Sequence, residues 1–306
     1  MEIKTVSIIG LGALGVLFGK QLADRMEPGQ LRIVADADRI KRYQEEKVYC
    51  NGEVCEFSYI DSEQSCEPAD LVLVCVKYGA LETGIESLKN QVGENTVILS
   101  TLNGISSEEV LKKAFGEDKI LYSVAQGMDA VKVGNRLTYS CKGIICFGEK
   151  EPGVISKKAK RVADFFDKVK FPYELSTNMY ERMWGKFMLN VGVNQTVAIY
   201  EGDYGVVQKE GEARDTMIAA MREVMQLAPH EGVSITEKDL IYWLDILGTL
   251  GKEGKPSMRQ DLEAGRKSEV ELFSGTVLRL GEIHRVDTPV NQMLYDRIQY
   301  LEQGRH

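Results

Sequence analysis

The stretch TVSIIGLGALGVLFGKQLADRM, residues 5–26, decides the fold of the first half of the chain. A short β-rich apolar run leads directly into three glycines spaced as GxGxxG, and an amphipathic helical pattern follows. This order is typical of a strand, a phosphate-binding turn and a helix at the start of a βαβ unit. The helix N-terminus would offer backbone N–H groups and the positive end of its dipole to a phosphate.

Each glycine has its own predicted task in that turn. Gly10 permits the tight turn, Gly12 lets a pyrophosphate approach the backbone, and Gly15 lets the helix pack on the strand. The alternative is a glycine-rich turn that binds nothing. We predict a dinucleotide site that comprises Gly10, Leu11, Gly12, Ala13, Leu14 and Gly15.

The same stretch superficially resembles a secretory signal peptide, because residues 6–19 are largely apolar and follow Lys4. It contains four glycines, Glu2 stands beside Lys4, and no convincing cleavage site follows Lys20. No other stretch approaches about 20 apolar residues, so we expect no membrane-spanning helix. We expect a cytoplasmic protein.

Short apolar runs alternate with helical patterns up to about residue 175. The predicted strands cover residues 5–9, 31–35, 71–77, 96–100, 120–125, 136–140 and 143–148. The predicted helices between them cover residues 15–26, 37–46, 80–90 and 107–115. Runs such as LVLVCV suit strands that are buried on both faces of a parallel sheet. The pattern predicts a doubly wound, Rossmann-type α/β domain, with an antiparallel extension formed by the later strands.

After about residue 176 long helical patterns replace the strands. The predicted helices cover residues 179–200, 210–231, 237–251, 257–264, 269–286 and 289–303. We therefore expect a dinucleotide-binding domain at residues 1–175 and an all-helical domain for substrate binding or dimerisation at residues 176–306.

Charge and composition exclude several classes of function. A net charge of −8 argues against a nucleic-acid surface, which needs clustered Lys and Arg. The six cysteines include no CxxC pair and there are only three histidines, so no metal site is predicted. Cys75 and Cys146 lie in apolar runs and are expected to be small core residues.

Asp36 follows the second predicted strand. A carboxylate there can accept hydrogen bonds from the ribose 2′-hydroxyl of NADH and would repel the 2′-phosphate of NADPH. Arg39 is near enough to soften that repulsion. Alternatively, Asp36 only caps the helix that begins near Ala37.

The segment WGKFMLNVGVN, residues 184–194, is apolar almost all round, which is typical of a buried helix. Its polar exceptions are Lys186, Asn190 and Asn194, which are four residues apart and share one helix face. A lysine in such surroundings needs a partner or a water-filled cleft. The alternative is a lysine that reaches the surface beside two structural amides.

Two loops of the first domain add candidates, because ligands of open α/β sheets bind beyond the carboxyl ends of strands. Lys77 ends the LVLVCV strand, and Asn103-Gly104 follows the next one. Their alternative roles are a surface charge and a simple turn.

A second polar cluster lies in the helical half. It includes Ser257, which can cap a helix with Gln260 at the capping-box position. It also includes Glu269 and Glu271, whose alternative role is that of solvated helix charges.

Together these residues resemble the ketopantoate reductase (2-dehydropantoate 2-reductase) family over nearly the whole chain. The motifs that carry the resemblance are GxGxxG at residues 10–15, Lys77, Asn103-Gly104, WxKxxxNxxxN at residues 184–194, SMxQD at residues 257–261 and the Glu of Ser-Glu269-Val. The resemblance implies a C-terminal domain like that of 6-phosphogluconate dehydrogenase, and it favours a homodimer.

The resemblance also implies the roles of the site residues. Lys186 is the expected catalytic acid for a 2-oxo acid that receives hydride from NADPH or NADH. Glu269 is expected to position substrate and cofactor. Asn190, Asn194 and Ser257 are the expected substrate contacts. Asn103 is expected to contact both ligands, and Lys77 lies on the cofactor side.

Three features of the sequence depart from the family pattern. Asp36 stands where Arg is common, which speaks against the usual NADPH preference. Phe187 replaces a Leu, and Gln195-Thr196 replaces Pro-Leu, which predicts a changed helix end and pocket. We expect reduction of 2-dehydropantoate to (R)-pantoate in pantothenate and coenzyme A biosynthesis. The alternatives are a reductase of another branched 2-oxo acid and a dinucleotide sensor without turnover.

Overall fold

The computed structural model describes residues 2–304, which divide into two compact units. The sheet unit contains the residues up to Leu102 together with Ser106–Tyr180. The helical unit contains Asn103–Ile105 and the residues from Glu181 onward. The short segment Asn103–Ile105 thus packs with residues that follow it by more than 75 positions.

The sheet unit is built from twelve strands and five α-helices. The strands are β1 (Val6–Ile9), β2 (Leu31–Ala35), β3 (Tyr49–Cys50), β4 (Glu53–Val54), β5 (Ser58–Asp61), β6 (Leu71–Val74), β7 (Val97–Ser100), β8 (Ile120–Met128), β9 (Val131–Val133), β10 (Arg136–Thr138), β11 (Lys142–Gly148) and β12 (Tyr173–Leu175). The helices are α1 (Ala13–Ala23), α2 (Ala37–Glu46), α3 (Leu81–Ser87), α4 (Ser107–Phe115) and α5 (Lys157–Lys168).

Eight strands form one sheet in the order β12-β11-β8-β7-β6-β1-β2-β5. From β8 to β5 all neighbours are parallel, whereas β11 pairs with β8 antiparallel. The chain runs outward from β1 on one side and then returns to β6, which is the doubly wound arrangement. Every residue of β1, β6 and β7 is buried, as expected for strands that helices cover on both faces. The predicted fold class is confirmed.

The predicted extension of the sheet is only partly correct. Strand β12 joins β11 in parallel, and β10, expected beside the later strands, lies in a separate four-stranded sheet of order β4-β3-β10-β9. The strand run at residues 136–140 was therefore placed in the wrong sheet. The prediction also omitted α5, although Ser156 caps it by accepting a hydrogen bond from Ala159 N.

The helical unit contains the greater part of α6 and six further helices. The helices are α6 (Met179–Ile199), α7 (Tyr204–Gln208), α8 (Glu212–Leu227), α9 (Glu237–Thr249), α10 (Ser257–Glu263), α11 (Ser274–His284) and α12 (Pro289–Gln303). Two glycines let neighbours approach α6 closely: a Cβ on Gly185 would overlap the Trp243 ring, and one on Gly192 would crowd Met221. The buried, nearly all-apolar character of α6 follows from these close neighbours.

Two predicted helices end differently from the expectation. The run at residues 269–286 divides into a 3₁₀ turn, Val270–Leu272, and α11, because Phe273 between them has a non-helical backbone. The run at residues 210–231 becomes α8 followed by a 3₁₀ turn, Ala228–Glu231. The short helix α7 was not predicted.

Buried polar groups tie four helices of this unit together. Gln195 Oε1 of α6 accepts from the Ser274 N–H of α11, and Ser274 Oγ donates to Asn291 Oδ1 of α12. The Glu223 carboxylate of α8 accepts from the N–H groups of Val290 and Asn291 at the start of α12. Helix α6 continues unbroken through Gln195 and Thr196 to Ile199, and the expected difference from the family in helix end and pocket stays a prediction.

Candidate active site

Close contacts within the chain shape the glycine turn between β1 and α1. Gly10 has φ +91°, and a Cβ on it would lie 2.8 Å from the carbonyl group of Cys75 and from the nitrogen of Val76. A Cβ on Gly15 would overlap the carbonyl oxygen of Gly10. Both positions therefore require glycine for the fold alone.

Gly12 lies in the same turn under different constraints. Its φ of −70° is open to any residue, and the nearest atom to a Cβ on it would be the Cys75 oxygen, at 3.8 Å. It is exposed, and it caps α1 without a side-chain hydrogen bond. Packing does not explain a glycine here, whereas close approach of a phosphate to the helix N-terminus does. The turn fits the pyrophosphate of a dinucleotide.

Asp36 lies at the end of β2, the parallel neighbour of β1. One carboxylate oxygen accepts from Arg39 N at 2.8 Å and caps α2, and the other lies 3.3 Å from Arg39 Nε. The capping role considered from the sequence is therefore present. About half of the side chain stays exposed, so the carboxylate also remains accessible to a ribose.

Lys77 follows β6, on the other side of β1. It is exposed and stands immediately before the 3₁₀ turn Tyr78–Ala80. Because β6, β1 and β2 are parallel neighbours, the loops with Lys77, the glycine turn and Asp36 lie along one edge of the sheet.

Helix α6 presents the predicted polar stripe of the helical unit. It is continuous from Met179 to Ile199, so Lys186, Asn190 and Asn194 lie on one face over two turns. Lys186 is half-buried, and its Nζ donates to Asn103 Oδ1 at 3.3 Å. The structure thus brings together two predicted site residues that are 83 positions apart.

The two amides of the stripe are available to a ligand. Asn190 is half-buried and Asn194 is only 7% exposed. Across residues 2–304, neither side chain hydrogen-bonds to another residue. Amides that are mostly buried without a partner leave donors and acceptors for a bound molecule.

The turn that carries Asn103 has a conformation that only glycine adopts readily. Gly104 has φ +87°, and a Cβ on it would lie 2.8 Å from a methyl carbon of Leu272. Leu272 belongs to the 3₁₀ turn that follows Glu269. The Asn103-Gly104 pair is therefore more than a generic turn, because its glycine is also set by side-chain packing.

Ser257 and Glu269 occupy positions that differ from a helix interior. Ser257 is exposed and is the first residue of α10, with Pro256 at the N-cap. The capping role considered for Ser257 is wrong, and Gln260 instead donates to Lys255 O. Glu269 is half-buried immediately before the turn Val270–Leu272.

One buried acidic group, five positions after Asn103 in the sequence, was not among the predicted site residues. Glu108 lies in the first turn of α4 and is only 1% exposed, and burial raises its pKa to about 7. The sequence SSEEV reads as an ordinary acidic helix start, so burial of this carboxyl group had no sequence signal.

Two family models match the chain. The model of ketopantoate reductase PanE/ApbA matches residues 6–152, and the model of the C-terminal part of the same family matches residues 178–302. The chain is similar to a 2-dehydropantoate 2-reductase from Archaeoglobus fulgidus, with 28% identity over 313 residues, which covers 99% of this chain and 100% of the relative.

Solved structures share the fold. A ternary complex of D-mandelate dehydrogenase with NADH and anilino(oxo)acetate has a TM-score of 0.87 at 19% identity and covers 98% of this chain and 99% of its own. A dimeric ketopantoate reductase from Staphylococcus aureus has a TM-score of 0.80 at 19% identity and covers 99% of this chain and 100% of its own. No helix within residues 2–304 is long and apolar enough to span a membrane.

Proposed function

Because the chain belongs to the ketopantoate reductase (PanE/ApbA) family, we propose that it reduces 2-dehydropantoate to (R)-pantoate with NAD(P)H. This step belongs to pantothenate and coenzyme A biosynthesis. The relative from Archaeoglobus fulgidus, which aligns over the full length, supports this activity.

The cofactor is a nicotinamide dinucleotide, which would supply hydride to the 2-oxo carbon. The glycine turn would hold its pyrophosphate on the N-terminus of α1, since Gly12 leaves the backbone open there. Asp36 would receive the adenosine ribose, and Lys77 would contribute positive charge beside the phosphates.

Lys186 is the proposed general acid. Hydride addition places negative charge on the former carbonyl oxygen, and an ammonium group beside that oxygen stabilises the charge and donates a proton from Nζ. The hydrogen bond to Asn103 Oδ1 orients Nζ, and an ammonium group carries the proton that a general acid must donate. This contact is the observation that carries the proposal.

Substrate recognition is assigned to neutral polar groups. Asn190 and Asn194 would bind the carboxylate or hydroxyl groups of the substrate, since their amides have no partner within residues 2–304. We also assign Ser257 to substrate binding, Asn103 to both ligands, and Glu269 to positioning.

NADH is the cofactor that we propose. Asp36 is oriented by its bond to the Arg39 backbone, so a carboxylate stands where the 2′-phosphate of NADPH would approach. Arg39 neutralises that carboxylate only in part, because both side chains are more than half exposed.

A second candidate is the reduction of another 2-oxo acid. Gln195-Thr196 stands where the family has Pro-Leu, next to the proposed substrate contact Asn194. The D-mandelate dehydrogenase with the same fold was solved with an aryl 2-oxo acid derivative, anilino(oxo)acetate. A dinucleotide sensor is less well supported, since it needs no proton donor such as Lys186.

Steady-state kinetics with a panel of branched, linear and aryl 2-oxo acids, each with NADH and NADPH, test this proposal. We expect the highest kcat/KM for 2-dehydropantoate with NADH. A higher kcat/KM for another acid selects the second candidate, and cofactor binding without turnover of any acid selects the sensor.

The remaining assignments belong to the same proposal. We assign cofactor binding to residues 1–175, substrate binding to residues 176–306, and a cytoplasmic location and a homodimer to the whole protein. The Staphylococcus aureus structure, described as dimeric, supports the homodimer. Sedimentation equilibrium measures the oligomeric state directly.

A further inference from the structure

A chain of buried hydroxyl groups connects the end of β7 with the start of α4. Leu102 N donates to Ser100 Oγ at 3.3 Å, Ser100 Oγ lies 2.7 Å from Ser107 Oγ, and Ser107 Oγ donates to Glu108 Oε2 at 2.9 Å. All four residues are buried. An ionised carboxylate only accepts hydrogen bonds, so the three links then run in one direction, from Leu102 toward Glu108.

Burial of the Glu108 carboxyl group costs the folded state free energy. It is only 1% exposed, and its Oε1 has no hydrogen-bond partner within residues 2–304. Burial raises its pKa to about 7, although hydrogen bonds from Ser107 and from the Ser123 backbone oppose that rise. An amide or apolar side chain would cost the fold less, so the carboxyl group points to a functional reason.

The amide that this chain reaches is the last one before a site residue. β7 ends at Ser100, Thr101 N and Oγ1 both bind Val74 O, and Leu102 N is held by the Ser100 hydroxyl. Asn103 comes next. The path of the backbone into Asn103 therefore depends on the Ser100 hydroxyl.

We propose that Glu108 is a positioning residue: through Ser107 and Ser100 it holds the Leu102 amide and thereby sets the place of the Asn103 side chain that receives the proposed acid. This inference rests on the proposed function, since it assigns Glu108 to the same site. Glu108 itself touches neither the substrate nor the cofactor in this proposal.

The strength of this hold depends on the charge of Glu108. An ionised carboxylate accepts the Ser107 hydrogen bond more strongly than a protonated one does. Glu109 on α4 and Tyr122 on β8 are the ionisable groups that interact with Glu108 electrostatically. Glu109 pairs with Lys112 and accepts from Tyr122, so its own charge stays in place. The Asn103 turn is therefore held most firmly above neutral pH.

Ser107→Ala and Glu108→Ala break the chain at successive links. We expect each to lower kcat about fivefold to tenfold, with cofactor affinity unchanged. The double variant is expected to lose no more than the larger single loss, because both changes cut one chain. Ser123→Ala is the matched control, since it removes an equally buried hydroxyl that bonds to Ser100 O outside the chain, and its kcat should stay within about twofold.

The pH dependence of kcat in Glu108→Gln distinguishes a positioning role from a purely structural one. A carboxamide oxygen still accepts from Ser107, so we expect kcat at pH 8 to recover to within about threefold of the wild type. The rise in kcat between pH 6 and 8 that Glu108 ionisation causes should disappear. The proposal is overturned if both alanine variants match Ser123→Ala, if their losses multiply in the double variant, or if the Glu108→Gln profile keeps the rise.

Amide hydrogen exchange separates a failure of this inference from a failure of the proposed function. The peptide over residues 101–106 is expected to exchange at least about threefold faster in Ser107→Ala than in Ser123→Ala, with no substrate present. If the wild type reduces no 2-oxo acid, the proposed function fails. The exchange measurement then tests by itself whether the chain from Glu108 holds the backbone at residues 101–106. Equal exchange in the two variants rejects the positioning role.

Discussion

The glycine turn of the sheet unit and the polar stripe of α6 in the helical unit are shaped in opposite ways. The turn uses six consecutive residues, and its shape follows from backbone contacts among Gly10, Gly15 and Cys75. The stripe uses side chains, and its main contact joins Lys186 to Asn103, which is 83 residues away. A backbone site tolerates changes only where no atom lies nearby, whereas a side-chain site can lose one group and still fold.

Among changes in the polar stripe of α6, Lys186→Ala is expected to have the largest effect on kcat. Loss of a positioned general acid lowers kcat by about 10²–10⁴-fold. Cofactor affinity, measured by fluorescence titration, should stay within about threefold, because the glycine turn is unchanged. An unchanged kcat would reject Lys186 as the acid, and an equal loss of cofactor affinity would show that Lys186 also contributes to cofactor binding.

Gly15→Ala and Gly12→Ala form a matched pair of variants within the glycine turn. A methyl group on Gly15 overlaps Gly10 O, so this variant should lose several kcal/mol, about 3 or more, of unfolding free energy in urea. A methyl group on Gly12 meets its nearest atom only at 3.8 Å, so stability should hold while cofactor affinity falls about tenfold. A stable Gly15→Ala, or a Gly12→Ala that binds cofactor normally, contradicts the assignment.

Glu108→Gln tests the cost of the buried carboxyl group through the pH dependence of stability. The pKa of Glu108 is about 7 in the folded protein against an ordinary 4.5, so the folded state binds the extra proton between these values. The binding of this proton stabilises the folded state. Its contribution to the free energy of unfolding of the wild type is therefore complete below pH 4.5 and is lost as pH rises through 7. At pH 8 the glutamine variant should be more stable by up to about 3 kcal/mol, and at pH 5 by much less.

Urea unfolding at pH 5 and pH 8 measures both differences. Ser123→Ala serves as the control, because it introduces no change of charge. A stability difference that stays constant with pH would mean that Glu108 is not titrating in this range.

Asp36→Ser is the mildest change and tests cofactor choice. Serine can still accept from Arg39 N, so the cap of α2 is kept while the carboxylate is removed. We expect the ratio of kcat/KM with NADH to that with NADPH to fall about tenfold, with Tm nearly unchanged. A wild type that binds NADPH more tightly than NADH would overturn the role given to Asp36.

Local patterns predicted much of the fold because their physical causes are local. Alternation of apolar runs and helical patterns placed α2, α4 and α12 with their observed bounds, and Asp36 as a helix cap was also foreseen. The pairing of β10 was missed, since short polar strands carry no signal for the sheet that they join. The break at Phe273 was missed for a similar reason, because an apolar run continues across it.

The candidate site divides along the same line. The helical spacing of Lys186, Asn190 and Asn194 is visible in the sequence, since a period of 3.6 places them on one face. The hydrogen bond between Lys186 and Asn103 could not be predicted, because neither segment of sequence indicates which distant segment it contacts. The burial of Glu108 could not be predicted either, because the sequence SSEEV is equally typical of an exposed acidic helix start.

The sequence by itself determined the strand–glycine turn–helix, the two styles of architecture and the stripe on α6, because these depend on residues within a few turns of each other. Only the tertiary structure decided that Lys186 donates a hydrogen bond to Asn103, that Gly12 is free of packing constraints, and that Glu108 is buried. Those facts depend on which distant segments exclude water from one another, and that is a property of the packed chain.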